Sequence, residues 1–506
     1  MTINGLTRRQ FGQALGVAVT CGLLERQLVA AFAAEDPRGL NYLASRTAGS
    51  EFTGELKKIE GKIPRELNGM LIRTAPGQKE IFGTKLKHLF DGDAYLSKFT
   101  FSEGKVALQA RFLDTPHRLE EQLAKRMLYS EAGTLAPPLP EGVKLGQKRG
   151  KNQPSVNIVR WDGRLLGLSE GACPVAIEEK TMSYQGDWRF YDTLPKDVTF
   201  TAHPKFDPVT GDGYAYGTRQ GPGLTLTVFR MEKDGKLKQL YALPQRNFYM
   251  VHDMLMARDH LIFVIPPVHF DLGQLMSGKV APFEAVRYTA DQPTRFVIVR
   301  KDGTGQPVTI EQPANMVFHH GNAFEKDGTL IIDSLLSPDG DVMKAVASWD
   351  APLREKLASN HLTRLVLDPV KGALISRTEL EADVEFPRFD TRRAGTDARY
   401  LFTGGYADAK ESAREGEFNA TVKHDLHKHT SKRVGAGKGR ALAEPVFVSH
   451  AGQNSEERGW LLTLGYDGPK DQTFLEIRDA GTLDFVARIW MGIHFPLGFH
   501  GNFYAA

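Results

Sequence analysis

The sequence predicts an all-β protein built as a propeller. Short β-like runs recur along the chain, turn signals such as Asp162-Gly163 and Asp327-Gly328 separate them, and no long linker or low-complexity tract interrupts residues 52–506. Many short strands in one unbroken chain form a sandwich, a barrel or a propeller. Of these three, only a propeller reaches roughly 470 residues as one domain. We therefore expect residues 34–506 to form a single propeller domain.

The runs themselves place the strands, and several pair into hairpins across polar turns, as in residues 228–240. The predicted strands are residues 69–73, 95–101, 155–159, 164–168, 225–231, 260–265, 296–300, 329–333, 362–367, 400–403, 445–448, 460–466 and 474–479. Seven blades would give about 68 residues each, which suits four strands with their loops. Because no sharp repeat marks the blades, periodicity alone leaves their number open.

Two stretches interrupt the β pattern. Residues 116–128 place Leu119, Leu123 and Met127 at helical spacing, which predicts an amphipathic helix. Residues 270–286 form a loop with helical character. We expect both stretches to cover the open end of the propeller. Their apolar side chains either pack on the blades or face a membrane, and the sequence leaves both alternatives open.

Composition excludes several classes of protein. With 64 Lys and Arg against 61 Asp and Glu, the net charge of +3 is too small for a nucleic-acid-binding protein. A content of 41% hydrophobic and 25% charged residues fits neither a disordered chain nor an integral membrane protein. Two cysteines, Cys21 and Cys173, form neither a disulfide framework nor a thiolate metal site. A bound metal would therefore need histidine or carboxylate ligands.

Residues 1–33 have the features of an export signal. The pair Arg8-Arg9 precedes Phe11 and an apolar run over residues 14–24, which is too short to span a bilayer. Residues 31–33 are Ala-Phe-Ala, a small-x-small cleavage site. The segment resembles a bacterial twin-arginine (Tat) signal, with an ordinary amphipathic helix as the alternative. Because this route carries folded proteins, we expect a periplasmic protein that is loaded with any metal before export.

Local context separates the fifteen histidines into groups. The densest group, at residues 424–429, lies in a hydrophilic stretch with several lysines, which favours a solvated hairpin turn over a metal site. Four others stand in distinctive strings but far apart in the sequence: His203, His252, His319 and His500. No local loop brings such residues together. A closed propeller does, because the innermost strands of all its blades face one axis.

Seven ordered motifs give the chain its resemblance to a known family. They are Gly61-x-x-Pro64-x-x-Leu67-x-Gly69, His88-x-Phe90-Asp91-Gly92-Asp93, Ala202-His203-Pro204-Lys205-x-Asp207-Pro208, Phe318-His319-x-x-Asn322-Ala323-x-Glu325, Glu385-Phe386-Pro387, Glu444-Pro445-x-Phe447-Val448 and Gly498-Phe499-His500-Gly501. In these motifs, over residues 52–503, the chain resembles the carotenoid cleavage oxygenases, a family that includes stilbene-cleaving enzymes and retinoid isomerases.

The resemblance implies a seven-bladed propeller with a helical and loop cap over the active-site end, and one Fe(II) per chain on the propeller axis. The ligands carried over by motif would be His203, His252, His319 and His500, with His319 selected over His320 by the pattern His-x-x-Asn. The carboxylates that orient them would be Glu170, Glu385 and Glu444. A carboxylate that accepts the other ring N–H fixes the tautomer of a histidine ligand. In this interpretation His203 has no such partner.

The resemblance further implies that O2 is the co-substrate and that an electron-rich alkene is cleaved to two carbonyl products. Relatives that cleave stilbenes and isoeugenol have a lysine where this chain has Ser169, and Tyr129 lies near the position of their phenol-binding tyrosine. Since Ser169 supplies no charge, an apolar carotenoid or apocarotenoid is favoured, with a stilbene or phenylpropene as the alternative. A retinoid-type isomerase and a non-catalytic binding propeller are further alternatives. An apolar substrate also predicts peripheral membrane contact through residues 116–128 or 270–283.

Overall fold

A computed structural model describes residues 39–139, 151–219, 224–347, 360–408 and 418–506. The export signal proposed for residues 1–33 lies outside the described residues. Four short α-helices occur within the described ranges: α1 (Gly39–Ser45), α2 (Pro116–Ala124), α3 (Leu272–Ser277) and α4 (Asp341–Ala347). Single 3₁₀ turns form at Pro282–Ala285 and Thr391–Arg393. None of the helices in this part of the chain is long and apolar enough to cross a bilayer.

The rest of the regular structure is β-strand. Strands β1 to β18 are Phe52–Glu55, Ile59–Gly61, Gly69–Pro76, Glu80–Ile81, Thr84–Lys85, Ala94–Ser102, Lys105–Phe112, Asn157–Trp161, Arg164–Leu168, Val175–Ile177, Tyr184–Asp187, Lys205–Phe206, Gly213–Arg219, Thr225–Met231, Leu237–Pro244, Phe248–Tyr249, Leu255–Met256 and His260–Ile265. Strands β19 to β35 are Val268–Phe270, Val286–Tyr288, Thr294–Arg300, Val308–Gln312, Met316–Lys326, Thr329–Ser337, His361–Asp368, Ala373–Ala382, Val384–Arg388, Tyr400–Gly405, Ala420–Asp425, Thr430–Gly435, Arg440–Ser449, Gly459–Asp467, Gln472–Asp479, Phe485–Trp490 and Gly501–Ala505.

Seven antiparallel sheets of four or five strands form the blades of a β-propeller, which confirms the predicted fold class. In order of hydrogen-bonded neighbours they are blade 1 (β1-β7-β6-β3-β35), blade 2 (β11-β10-β9-β8), blade 3 (β12-β13-β14-β15), blade 4 (β17-β18-β21-β22), blade 5 (β23-β24-β25-β26), blade 6 (β27-β28-β29-β30) and blade 7 (β2-β34-β33-β32-β31). The blades follow one another in chain order, so each blade packs on its neighbours in sequence.

Apolar clusters between neighbouring blades hold the ring together. Each interface has its own buried cluster, for example Val159 of blade 2 with Phe229 of blade 3, and Leu71 of blade 1 with Leu475 of blade 7. The two ends of the chain interlock as well. Strand β35 pairs with β3, and β2 pairs with β34. The ring is thus closed by hydrogen bonds between residues more than 400 positions apart in sequence.

An insertion between β18 and β21 of blade 4 builds much of the cap. It contains β19, α3 and β20, and β16 adds a third strand to form a small separate sheet. A cluster beneath this cap joins Val268 of β19 to Phe318 of β23, with Phe90 and Met343 packed against it. The cap therefore covers the end of the propeller to which Phe318 belongs, as predicted.

Several details depart from the sequence-based expectations. Many inner and edge strands, including β12, β17, β23 and β35, lack a recognisable apolar run and were not predicted. The predicted helix over residues 116–128 ends at Lys125, whose φ is 52°. Its apolar stripe does not pack as a unit: Leu119 and Leu123 are exposed, and only Met127, beyond the helix, is buried.

The histidine-rich hairpin lies between β29 and β30, where the sequence predicted it. His427 and His429 are solvent-exposed as expected. His424 is buried, and its ring bonds Thr403 Oγ1 and Ser431 Oγ. The expectation of a fully solvated stretch was therefore wrong for His424, because this residue belongs to β29 and not to the turn.

A buried ion cluster fastens α2 to blade 1. Lys151 Nζ lies 2.7 Å from Asp93 Oδ1, 2.7 Å from Glu121 Oε2 and 3.0 Å from Glu131 Oε1. All four side chains are almost completely buried. Asp93 directly precedes β6 of blade 1, Glu121 is the buried residue of α2, and Glu131 lies in the loop that follows. One ammonium group thus bridges carboxylates from three separate segments.

We expect Lys151→Met to destabilise the protein strongly, because it removes the cation shared by buried Glu121 and Glu131 and leaves Asp93 with Arg118 alone. Removal of one partner from a buried ion pair costs about 3–5 kcal/mol. Urea unfolding followed by circular dichroism measures the change. Lys236→Met is the matched control, since Lys236 pairs with Asp234 at the surface and a surface pair contributes about 0–1 kcal/mol. Equal losses in the two variants would contradict the prediction.

Candidate metal centre

Four histidines from four different blades meet on the axis of the propeller. His319 lies within β23, His500 directly precedes β35, and His203 and His252 lie two and three residues before β12 and β17. These are inner strands of blades 5, 1, 3 and 4. The closure of the ring therefore brings together residues that the sequence separates by as many as 297 positions.

The ring nitrogens of these histidines converge on one point. His252 Nε2 lies 3.1 Å from His203 Nε2 and 3.2 Å from His319 Nε2, and the Nε2 atoms of His319 and His500 are 3.0 Å apart. All four residues are buried, and one ligand atom of each lies within 4.8 Å of the others. It is the one histidine, cysteine or carboxylate cluster of metal-ligating geometry found in the described ranges.

Three glutamates face the opposite nitrogens of three of these rings. Glu385 Oε2 lies 2.6 Å from His319 Nδ1, and Glu444 Oε1 lies 2.9 Å from His500 Nδ1. Glu170 Oε1 lies 3.0 Å from His252 Nδ1, but without the alignment of a hydrogen bond, and its side chain is 34% exposed. These are the three glutamates that the motifs singled out, and Glu170 forms the weakest of the three contacts.

Each of the seven blades contributes one of these seven residues. Blades 6 and 7 supply Glu385 and Glu444, which serve histidines of the adjacent blades 5 and 1. Glu170 of blade 2 instead reaches past blade 3 to His252 of blade 4. His203 of blade 3 therefore lies between Glu170 and its partner. This arrangement accounts for the histidine that has no carboxylate.

Bulges aim the side chains on three inner strands. The register of β23 shifts around His319, that of β27 shifts after Glu385, and that of β31 shifts around Glu444. A bulge interrupts the alternation of side chains and turns one residue toward a new direction. The next residue after Glu385, Phe386, has a φ of 60° and its N–H bonds the Glu385 carboxylate. Such backbone conformations are costly and concentrate at functional sites.

Burial sets the charge of the rings. Burial, and then the neighbouring histidines, lower the pKa of His203 well below its usual value. Burial also lowers the pKa of His500 to about 4, although Glu444 opposes the change. Burial alone would lower the pKa of His319 too, but the Glu385 carboxylate outweighs it and the pKa is raised. A hydrogen-bonded carboxylate of this kind makes a ring a more basic ligand.

Glu444 is itself held as an anion by two arginines. Its carboxylate lies 3.5 Å from Arg73 and 3.3 Å from Arg388. Burial would raise the pKa of Glu444, but Arg388, His500 and Arg73 outweigh it and lower the pKa to about 2. Gly501 allows Arg73 to approach, since a Cβ at Gly501 would lie 2.3 Å from Arg73 Cγ.

Sequence reasoning missed the residues that tie the histidine-bearing segments together. Asp253 accepts the backbone N–H of His320 at 3.0 Å and lies 2.7 Å from Lys205 Nζ, so it joins blades 3, 4 and 5 beside the site. Asp253 directly follows His252, and Lys205 lies two residues after His203. Their closeness in sequence to these histidines is the one feature from which their position at the site could have been predicted. The choice of His319 over His320 agrees with the geometry, because the His320 ring bonds Ser334 Oγ.

The donor set fits a transition-metal ion. Rings whose Nδ1–H faces a carboxylate present unprotonated Nε2 atoms, and lone pairs about 3 Å apart repel unless a cation lies between them. With bonds of about 2.1 Å, ligands at right angles lie about 3.0 Å apart and tetrahedral ligands about 3.4 Å apart. The observed separations of 3.0–3.2 Å lie close to both values, so the rings are spaced as ligands of one ion.

Comparison with known proteins gives consistent matches along the whole chain. The family model described as "RPE65: Retinal pigment epithelial membrane protein" matches residues 45–505. The apocarotenoid-15,15'-oxygenase of Synechocystis sp. is 29% identical over 88% of this chain and 92% of its own length. Resveratrol cleavage oxygenase 1 of Aspergillus fumigatus is 27% identical over 89% of this chain and 92% of its length. Isoeugenol monooxygenase of Pseudomonas putida is 26% identical over 84% of this chain and 89% of its own length.

Solved structures match as well. Cobalt-substituted Synechocystis ACO superposes with a TM-score of 0.84 at 27% identity, covering 92% of this chain and 98% of the other. A chimera of ACO and RPE65 gives the same TM-score, identity and coverage.

We expect one equivalent of Co(II) to bind the purified protein, with loss of binding in His319→Ala. Glu385→Gln should weaken binding about 10–100-fold, because the carboxylate that orients His319 is lost. Glu170→Gln should weaken it less, since this carboxylate is partly exposed and poorly aligned. Titration with Co(II), followed by its visible absorption, measures the affinity of the wild-type protein and of all three variants.

The control for this titration is Glu325→Gln, which removes a carboxylate bonded to His260 outside the cluster. Equal affinities in the Glu385, Glu170 and Glu325 variants would contradict the assignment of the glutamates.

Proposed function

This chain belongs to the family of RPE65 and the carotenoid cleavage oxygenases, and from that premise we propose that it is an Fe(II)-dependent dioxygenase that cleaves a conjugated C=C bond of a carotenoid or apocarotenoid to two carbonyl products. The single observation that carries the proposal is the convergence of four buried Nε2 atoms on the propeller axis. Retention of the complete donor set speaks against a binding propeller without catalysis. The curated relatives compared above are oxygenases, and this chain is an enzyme of the same family.

We assign His203, His252, His319 and His500 as the ligands of one Fe(II) per chain. Imidazole also holds zinc or nickel. The family match and the redox chemistry of alkene cleavage favour iron. When bound, ferrous iron supplies the redox chemistry that O2 requires to react with an alkene.

The protein's own contribution is to orient the ligands and to exclude water. Glu385 and Glu444 fix the tautomers of His319 and His500, and their negative charge offsets that of a dication. Aromatic rings surround the histidines: Phe318 lies 5.2 Å from His252, and Phe386 lies 5.6 Å from His319 and 5.7 Å from His500, between ring centroids. An apolar wall of this kind binds a hydrocarbon chain and keeps other nucleophiles away from the reacting bond.

A row of half-buried phenylalanines runs from Phe499, the residue before His500, to the cap, and we call it the aromatic row: Phe499, Phe90, Phe283, Phe270 and Phe248. Successive ring centroids lie 5.0–6.2 Å apart. Half-buried aromatic rings in contact with one another suit the wall of a channel for a polyene. This row supports a long apolar substrate.

The residues near the predicted phenol site favour a carotenoid or apocarotenoid over a stilbene. The Tyr129 hydroxyl is hydrogen-bonded to Glu120 on α2, and its ring packs against His117. Burial, with the Glu120 hydrogen bond, raises the pKa of Tyr129 to about 12. Ser169 supplies no cation for a phenolate. A phenol would therefore find neither a free tyrosine hydroxyl nor a positive charge here.

A competition tests the function directly. Iron-loaded protein in air receives equal amounts of an apocarotenal and a 4-hydroxystilbene, and chromatography resolves the aldehyde products. We expect products from the apocarotenal. If only aromatic aldehydes form, the iron site stands but the substrate is a stilbene and not an apocarotenoid. If iron-bound protein cleaves neither compound, the proposed activity on both substrate classes is refuted.

We also propose that the cap touches a membrane from which the substrate is taken. Leu123 of α2 and Met276 of α3 are 87% and 85% exposed, and Leu119 and Leu272 beside them are exposed as well. The two segments are neighbours, because the N–H of Phe283 donates to the carbonyl of Ala132 in the loop after α2. Exposed apolar side chains on adjacent segments favour the membrane-facing alternative over packing on the blades.

Leu123→Glu combined with Met276→Glu should reduce liposome binding at least tenfold, because two apolar contacts are replaced by charges. Co-sedimentation with vesicles measures binding, and cleavage of detergent-solubilised substrate should stay unchanged. Val370→Glu is the matched control: this residue is 88% exposed in the turn between β25 and β26. Absence of liposome binding by the wild-type protein, with normal cleavage, would refute membrane contact.

Finally, we propose export to the periplasm through the Tat route, supported by Arg8-Arg9 and the residues that follow. Replacement of both arginines by lysine should leave the protein in the cytoplasm of a bacterial host with a working Tat system, because the receptor requires the pair. Fractionation with immunodetection measures the distribution. Export of the double-lysine variant at the wild-type level would contradict the proposal.

A further inference from the structure

His88 is a buried histidine that the proposed iron site does not use. It begins the motif His88-x-Phe90-Asp91-Gly92-Asp93, and its residue is only 1% exposed. The backbone N–H of His88 donates to Asp91 Oδ2 at 3.1 Å. Gly133 packs closely against His88, because a Cβ at Gly133 would lie 2.3 Å from the Cβ of His88. The main chain and the base of the side chain are therefore held in one position.

The hydrogen bonds of His88 define which nitrogen carries the proton. The N–H of Phe90 donates to His88 Nδ1 at 3.2 Å, so Nδ1 is an acceptor. Burial, with a contribution from Lys79, lowers the pKa of His88 to about 3, so the ring is neutral at neutral pH. A neutral ring has one N–H. In His88 that group is Nε2–H.

This Nε2–H is buried and has no hydrogen-bond partner among the described residues. A buried donor without a partner is costly, and native proteins rarely leave one unless a ligand or water completes it. Neither the sequence motif nor the packing of blade 1 supplies an acceptor. The ring is therefore a donor whose acceptor is not found among the described residues.

The position of the ring identifies the kind of molecule. His88 packs against two members of the aromatic row, with ring centroids 4.3 Å from Phe283 and 4.8 Å from Phe90. Phe90 in turn contacts Phe499, the neighbour of His500, at 5.2 Å. The donor thus lies beside the apolar route proposed for the polyene, one ring farther from the histidine centre than Phe90.

We propose that His88 Nε2–H donates a hydrogen bond to a neutral oxygen, carbonyl or hydroxyl, at one end of a polyene bound along the aromatic row. The inference rests on the proposed function, since it assumes that this row binds the substrate. A fixed donor at a fixed distance from the histidine centre sets which double bond lies at that centre. His88 is thereby a positioning residue that selects oxygenated polyenes and fixes the bond that is cut.

The test compares an apocarotenal with a hydrocarbon of the same polyene length that lacks the oxygen. The variants are His88→Phe, which removes the donor, and His88→Asn, whose side-chain oxygen still accepts the Phe90 N–H while the shorter side chain withdraws the donor. His260→Phe is the control, because His260 bonds Glu325 away from the row. Thermal unfolding shows which variants remain folded.

Two readouts separate positioning from folding. In wild type without O2, the absorption maximum of bound apocarotenal should shift to longer wavelength, as a hydrogen-bonded carbonyl polarises the polyene, and both His88 variants should lose this shift. In air, the KM for the apocarotenal should rise about tenfold in both variants, with cleavage spread over neighbouring double bonds. The KM for the hydrocarbon should stay unchanged.

Equal effects on the two substrates, or no effect on either, would overturn the role of His88 while leaving the oxygenase intact. An apocarotenal that binds wild type without a spectral shift would also overturn it, and would indicate a buried water as the partner of Nε2. If wild type cleaves neither substrate, the proposed activity on them fails, and the anaerobic spectral shift still decides whether His88 contacts the oxygen.

Discussion

At the centre of this protein, the lone pairs of four imidazole nitrogens repel one another. The propeller framework holds the rings together against this repulsion. Nε2 atoms only 3.0–3.2 Å apart do not stay together unless rigid strands hold them or a cation lies among them. The propeller supplies the first condition, since each ring comes from a different blade and each blade is packed on two neighbours. Closure of the ring and formation of the site are therefore one structural event.

The same constraint explains the unequal carboxylates. Seven blades offer seven positions on the axis, four of which are histidines, so three remain for glutamates. Glu385 and Glu444 each occupy a position next to the histidine they orient, and both are buried. Glu170 must reach across the blade that carries His203, and the result is a longer, less aligned and partly exposed contact. The asymmetry of the site follows from the geometry of the ring.

Motifs in the sequence predicted the fold class, the four histidines and their three glutamates, because each stands in a distinctive local string. The central strands with strong apolar runs, such as β9, β14 and β18, were placed at their observed bounds. Strands β12 and β17, with two residues each, have no periodicity to detect. The bulges at His319, Glu385 and Glu444, and the cross-blade bonds of Asp253, depend on register between distant strands and left no local signal. Helix α2 was found, but its apolar stripe faces outward because a buried glutamate, Glu121, fixes the opposite face.

Strand β35 pairs with β3 and directly follows His500, so the last strand of the propeller both locks the ring and delivers the fourth histidine. In a chain that emerges from the ribosome amino terminus first, the other three histidines are synthesised long before this one. A chain interrupted between residues 320 and 484 carries three of the four rings and lacks both β34 and β35, the strands that pair with β2 and β3. Such a product lacks both closing pairings and the complete set of four histidines, so ring closure and completion of the candidate metal site coincide at the end of synthesis.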